Sequence, residues 1–192
     1  HSLDLPKQLR QLSLEELEEL CKEIRHELLT ICNECGGHLA SNLGVVELTT
    51  VLHTILKSPE DKILWDTSHQ TYVHKMLTGR LGRMGTIRQD NGLSGFAKIT
   101  ESEHDIFGAG HASTSLSAAL GLAFARDQKG EKHSVFTVVG DAGLSGGMSY
   151  EAINNVQGMK TIFVCVLNDN DMSISNSVGN MANYMTKMRT ST

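Results

Sequence analysis

Two apolar runs with a helix-like segment between them constrain the fold of this chain most strongly. The runs cover 135–139 and 161–167, and the segment between them covers 148–157. A strand–helix–strand unit of this length makes its two strands parallel neighbours through a right-handed crossover. We therefore predict an α/β fold with a mostly parallel sheet and helices on both faces.

Oxygen-bearing side chains follow both predicted strands. Gly140-Asp141 comes directly after the first strand, and Asn170 follows the second. Parallel neighbours end at the same edge of a sheet, which is where open α/β folds bind ligands. A carboxylate, an amide oxygen and glycines that allow close backbone approach suit a hard cation carrying a phosphorylated ligand. The sequence thus predicts a cation and phosphate site where Asp141 and Asn170 meet.

The composition limits the classes of function. The 192 residues are 40% hydrophobic and 20% charged, which is ordinary for one globular domain with its own core. The net charge of −5 gives no sign of nucleic-acid binding. No apolar run approaches the ~20 residues that span a bilayer. Four cysteines without a disulfide spacing favour a reducing interior, so we expect a cytoplasmic protein.

The first part of the chain alternates helices with one short strand. Ser13 and Glu16 form a capping-box pattern ahead of an apolar helical stripe. A second helix over 45–56, a short buried strand over 62–66 and a helix over 69–77 follow, with Asp66-Thr67-Ser68 as the cap of that last helix. Residues 79–107 have little periodicity, which fits a functional loop or a solvated connector equally well. Further helices are predicted over 116–125 and 178–188.

Three histidines allow both bland and functional interpretations. His38 and His69 lie where helices begin, near backbone amides that favour anions. Taken singly, each is explained as well by a capping or surface role, and His74 is expected to be structural. The Gly110-to-Ser113 stretch is a weak dinucleotide-like pattern, because its third glycine is replaced by serine and the expected acidic residue is missing.

Five longer motifs make the pattern recognisable. They are GHLASNLG at 37–44, WDTSHQTYVHKMLTGR at 65–80, GLSGF at 92–96, GHASTS at 110–115 and LNDNDMSIS at 167–175. Together with the Gly-Asp start at 140, these motifs resemble the 1-deoxy-D-xylulose-5-phosphate synthase family, in family order and over nearly the whole chain. The resemblance implies a thiamine-diphosphate-binding domain of the diphosphate type, which holds the cofactor through Mg²⁺.

The resemblance also implies a role for individual residues. The metal ligands would be the side chains of Asp141 and Asn170 and the backbone carbonyl of Met172. The catalytic residues would be His38 and His111, as proton shuttles. The residues in contact with thiamine diphosphate would be His69, Gly110, His111, Ala112, Ala142, Gly143 and Asn170.

The implied reaction condenses pyruvate with D-glyceraldehyde 3-phosphate to 1-deoxy-D-xylulose 5-phosphate and releases CO₂. The sugar phosphate is a precursor of isoprenoids, thiamine and pyridoxal. Two departures affect the site: Ala142-Gly143 stands where the family usually has Gly-Ala, and Ala112 stands where serine is common. We expect the first to weaken cofactor binding without abolishing it.

We expect residues 1–192 to be a single, incomplete domain that lacks the family's pyrimidine-binding and C-terminal domains. Such a chain would be inactive alone and would work as a homodimer or with a complementing chain. The alternatives are the N-terminal subunit of another transketolase-like enzyme and a non-catalytic cofactor-binding or interaction module.

Overall fold

The structure is a computed structural model that describes residues 7–170 together with Tyr184 and Lys187. Within this part, three parallel strands form one sheet in the order β1-β2-β3, with β1 at Lys62–Trp65, β2 at Val135–Gly140 and β3 at Val164–Asn168. Lys62 lies opposite Val135, and Gly140 lies opposite Asn168. The predicted parallel α/β sheet is confirmed.

Helices cover both faces of this sheet. The α-helices are α1 at Leu14–Cys35, α2 at Leu39–Leu43, α3 at Val46–Ile55, α4 at Tyr72–Lys75, α5 at Ser115–Gln128, α6 at Asp141–Leu144 and α7 at Gly147–Val156. Short 3₁₀ or π turns occupy Gln8–Gln11, Met76–Arg80 and Leu81–Thr86. None of the helices that the structure describes combines the length and apolar character needed to cross a bilayer.

The alternation of side chains along the strands explains the two layers. Ile63 and Trp65 of β1 pack with Leu52 of α3 on one face of the sheet. Leu64, which points to the opposite face, packs with Ala119 of α5. Successive strand residues face opposite sides, so each strand that is apolar throughout needs a helical layer on both faces.

A second core lies beside the sheet, between α1 and the segment that follows α4. Leu28 and Ile31 of α1 pack there with Tyr72 and Met84, and all four are almost completely buried. The predicted capping box begins α1: Glu16 N–H donates to Ser13 Oγ at 3.2 Å, and Ser13 N–H donates to Glu16 Oε2 at 2.7 Å. The helical stripe therefore has the start and the buried face that its sequence indicates.

The predicted cap of the helix after β1 is wrong. That helix begins at Tyr72 and not at His69, with Thr71 at its N-cap position. The chain before it turns through Thr67 and Ser68, whose φ angles of +57° and +67° are left-handed and not helical. Asp66 does not cap it. Its carboxylate instead accepts backbone N–H groups at the start of α5, as described below.

Residues 79–107 are held to the protein by buried ion pairs, although many of their side chains are exposed. Arg80 donates through both terminal nitrogens to the Asp105 carboxylate at 2.8 Å, and the Lys75 ammonium lies 2.5 Å from Glu101 Oε2. Lys75 and Asp105 are almost fully buried. Burial opposes the charge of Asp105, but hydrogen bonds from His74 and Arg80 hold its pKa well below the ordinary value.

His74 is structural, as expected, and it forms a buried chain with His53. His74 Nε2 lies 3.1 Å from Asp105 Oδ1 and therefore donates to it. His74 Nδ1 must then accept from His53 Nε2, 2.9 Å away. Burial lowers the pKa of both imidazoles; Asp105 opposes the effect at His74, and the neighbouring His74 adds to it at His53, so both rings are held toward the neutral form.

Candidate cofactor site

The predicted metal ligands leave the sheet at one edge. Asp141 is the first residue of α6, directly after β2, and Asn170 follows the end of β3 by two residues. The register that sets Gly140 opposite Asn168 places both exits side by side. The Asn170 amide also lies against Gly44, since a Cβ at Gly44 would stand 2.7 Å from Asn170 Nδ2. Metal ligation by these residues stays a prediction, and Met172 falls outside the described residues, as does nearly all of the predicted 178–188 helix.

The Gly110-to-Ala112 loop is exposed and precedes α5 at the same end of the molecule. Gly110 has φ +138°, and no heavy atom of the described structure lies within 4 Å of the position that a Cβ would take there. Thr114 Oγ1 donates to the carbonyl of His111 at 3.0 Å and stabilises the end of the loop. This leaves a glycine-started backbone stretch open to a ligand.

His38 and His69 are brought together although they are 31 positions apart. Their ring centroids are 5.5 Å apart with the planes nearly perpendicular. Phe96 and Tyr72 complete the cluster, with centroids 5.6 Å and 6.2 Å from that of His38. The Tyr72 hydroxyl lies 3.4 Å from His38 Nδ1. The two histidines thus share one partly apolar wall.

Both imidazoles are held toward the neutral form. Burial lowers the pKa of His38, and the positive charge of Arg88 lowers it further. Burial also lowers the pKa of His69, with His38 adding to the effect and Asp66 opposing it. His69 Nδ1 is buried and has no hydrogen-bond partner among the described residues. A neutral imidazole with an unused nitrogen can accept or donate one hydrogen bond to a ligand.

Asn42, which was not predicted as a site residue, organises this wall. Its side chain is fully buried; Nδ2 donates to the carbonyls of His38 at 2.7 Å and His69 at 2.9 Å, and Oδ1 accepts from Tyr72 N–H at 2.8 Å. It therefore supplies the cap that α4 lacks in its own sequence. The only available signal was its place within the 37–44 motif, which says nothing about its partners.

Asp66 and Ser113 were also missed as site residues. The Asp66 carboxylate accepts the backbone N–H groups of Ser113 and Ser115, and Ser113 Oγ donates to the Gly143 carbonyl. The loop that precedes α5 is thereby attached to the segment that carries Asp141. Both residues lie within recognised motifs, but their contacts join segments far apart in sequence.

In the described part of the chain, no three or more His, Cys, Asp or Glu side chains are grouped so that they could hold a metal ion. The predicted magnesium set contains only one such residue, Asp141, with an amide oxygen and a backbone carbonyl as the others. Magnesium is typically held by one or two carboxylates together with phosphate oxygens and water. The sparse donor set is therefore of the kind that Mg²⁺ uses with a diphosphate ligand.

Comparison with known proteins gives the family. The family model of 1-deoxy-D-xylulose-5-phosphate synthase matches residues 1–192. Proteins with that name from Syntrophomonas wolfei and Caldanaerobacter subterraneus are 53% identical over 190 residues and 54% identical over 188 residues, covering 99% and 98% of this chain. The one from Thermomicrobium roseum is 51% identical over 191 residues. The chain spans 30% of the length of each of these relatives. With its parallel sheet and its five motifs, the chain belongs to the 1-deoxy-D-xylulose-5-phosphate synthase family.

Proposed function

We propose that this chain carries the thiamine diphosphate and Mg²⁺ site of an enzyme that joins pyruvate to D-glyceraldehyde 3-phosphate and releases CO₂. One observation carries the proposal: β2 and β3 end side by side, so that Asp141 and Asn170 leave the sheet at one edge. The names of the relatives support the reaction. The sugar phosphate product would be a precursor of isoprenoids, thiamine and pyridoxal.

The residues present fit a magnesium diphosphate. Asp141, the Asn170 side-chain oxygen and the Met172 carbonyl would hold the metal. The open Gly110-to-Ala112 backbone, together with Ala142 and Gly143, would lie along the diphosphate. His69 offers the buried Nδ1 that has no partner among the described residues.

The two proposed catalytic histidines differ in their surroundings. His38 is half-buried in the aromatic wall, and its pKa is lowered by burial and by Arg88. It would be neutral near pH 7 and able to accept a proton from a hydroxyl group of the substrate. His111 is exposed on the loop before α5 and would be the second proton shuttle. When bound, thiamine diphosphate supplies the electron sink for decarboxylation.

We propose further that the 192-residue chain does not turn over the substrates alone. It spans 30% of the relatives named above, so the remaining machinery would come from further chain, in a homodimer or with a complementing chain. A cytoplasmic location is proposed with it, in keeping with four cysteines that form no disulfide within the described structure. Product formation from pyruvate and glyceraldehyde phosphate by the pure chain would refute this part.

Titration calorimetry with thiamine diphosphate and Mg²⁺ tests the site. Native chain should release heat that disappears when Mg²⁺ is omitted and in Asp141→Ala. Asp127→Ala is the matched control, because this exposed aspartate lies at the opposite end of α5 from the predicted site. Equal heats from both variants would contradict the assignment of Asp141, and no heat from native chain would favour a non-catalytic interaction module. A screen of other keto donors would identify another transketolase-like enzyme.

A further inference from the structure

We propose that Asp66 and Ser113 are positioning residues that fix the Gly110-to-Ala112 loop relative to Asp141. The inference rests on the proposed function, since it concerns how the two halves of that cofactor site are held in register. Neither residue is assigned a contact with the cofactor. Ser113 acts through the backbone of Gly143, and Asp66 acts through the backbone of Ser113 and Ser115, which follow the Gly110-to-Ala112 loop.

Asp66 anchors the loop from β1. Its side chain is only 3% exposed, immediately after the strand. Oδ2 accepts Ser113 N–H at 2.8 Å, and Oδ1 accepts Ser115 N–H at 3.1 Å. Thr114, the residue before α5, makes no side-chain cap of its own. The carboxylate that follows β1 therefore caps this 14-residue helix, and its negative charge interacts favourably with the positive end of the helix dipole.

Ser113 carries the connection onward to α6. Its φ of +69° is a left-handed conformation that serine seldom adopts, held here by bonds on both its backbone and its side chain. Ser113 Oγ donates to the Gly143 carbonyl at 2.7 Å. The hydroxyl fits because residue 146 is glycine, since a Cβ at Gly146 would overlap Ser113 Oγ. The Asp66 carboxylate likewise fits because residue 143 is glycine, since a Cβ at Gly143 would overlap Asp66 Oδ2.

These contacts make one continuous connection between the two halves of the predicted site. The loop residues Gly110 to Ala112 directly precede Ser113, and Asp141 is two residues before Gly143. Moving the loop relative to Asp141 would break either the Asp66–Ser113 bond or the Ser113–Gly143 bond. A site that must hold a diphosphate on one side and its metal on the other depends on the distance between the Gly110-to-Ala112 loop and Asp141.

Ser149 of α7 provides a matched control. Its Oγ donates to the same Gly143 carbonyl at 2.8 Å and is fully buried, but it has no bond to the loop before α5. Ser113→Ala and Ser149→Ala each remove one buried hydroxyl bond from one acceptor. A purely structural role predicts that the two variants behave alike. A positioning role predicts that only Ser113→Ala separates the loop from α6.

The first measurement is thiamine diphosphate affinity by calorimetry at a fixed, saturating Mg²⁺ concentration, with thermal unfolding alongside. Both variants should lower the melting temperature by similar amounts. Ser113→Ala should weaken binding about fivefold to tenfold, the equivalent of one hydrogen bond, whereas Ser149→Ala should change it less than about twofold. Equal losses of affinity in the two variants would overturn the proposal.

The second measurement needs no cofactor, so it separates this inference from the proposed function. Amide hydrogen exchange of the chain without ligand is followed at 110–115 and at 141–145. Asp66→Asn should speed exchange in both segments, although its carboxylate hydrogen-bonds only the first and meets the second only by packing against Gly143. Ser113→Ala should also speed exchange in both segments, in a chain that keeps the Asp66 carboxylate. Faster exchange confined to 110–115 in both variants would refute the proposed connection between the two segments. Coupled exchange in a chain that binds no thiamine diphosphate would refute only the proposed function.

Discussion

Replacing Asn42 by alanine should destabilise the protein far more than its single small side chain suggests. The fully buried amide makes three hydrogen bonds, to His38, His69 and Tyr72. The His38 carbonyl would keep donors, because Ser41 Oγ at 3.0 Å and the Asn42 N–H at 3.3 Å also reach it. The substitution would therefore leave two groups unpaired, the Tyr72 N–H and the His69 carbonyl.

The magnitude follows from these two unpaired groups. An unsatisfied buried donor or acceptor costs about 1–3 kcal/mol, and His69 is only half-buried, so we expect a loss of about 3 kcal/mol in the free energy of unfolding. In urea, with a slope of about 2 kcal/mol per molar for a chain of this size, the midpoint would fall by about 1.5 M. Equilibrium unfolding followed by the fluorescence of Trp65 measures it.

Ser41→Ala is the control for Asn42→Ala. It removes one hydrogen bond from a carbonyl that retains others, so the expected loss is less than about 1 kcal/mol. The ring-proton resonances of His38 and His69 should both shift in Asn42→Ala, because both carbonyls lose the same donor. A midpoint for Asn42→Ala no lower than that for Ser41→Ala would refute the reasoning.

Three further outcomes are expected. Burial lowers the pKa of His53 and His74 in the folded chain, so on acidification the unfolded chain takes up protons first. The free energy of unfolding should therefore be flat above about pH 6.5 and fall below it by up to about 1.4 kcal/mol per pH unit for each histidine. Urea midpoints independent of pH between 7.5 and 5 would contradict this. Gly37→Ala should cost about 2 kcal/mol or more, because φ is +141° and the new Cβ would stand 2.7 Å from the buried Tyr72 hydroxyl; native-like thermal stability would count against it. Ala142→Gly removes a methyl group from an exposed backbone stretch of the predicted diphosphate site, and calorimetry should show tighter thiamine diphosphate binding, whereas equal or weaker affinity would show that the methyl group is harmless.

The sequence determined those features of the fold that depend on neighbours along the chain. The Ser13–Glu16 capping box and the apolar runs of β1 and β2 are local patterns, and each appears in the structure close to its expected place. The parallel pairing of β2 and β3 followed from chain connectivity alone, because a strand–helix–strand unit has essentially one handedness. That pairing is also what predicted the shared exit of Asp141 and Asn170.

Tertiary structure decided which polar groups meet across the chain. Asp66 has the sequence pattern of a cap for the helix that follows it, yet its carboxylate caps α5, 47 and 49 residues further on. Asn42 reaches 27 and 30 residues ahead to His69 and Tyr72, and Arg80 finds Asp105 within a segment that lacks periodicity. A buried polar group must take whichever partner packing brings within about 3 Å, and many partners are compatible with the same local sequence. The sequence could therefore place the ends of the strands, while only the packed structure could show what holds the loops around them.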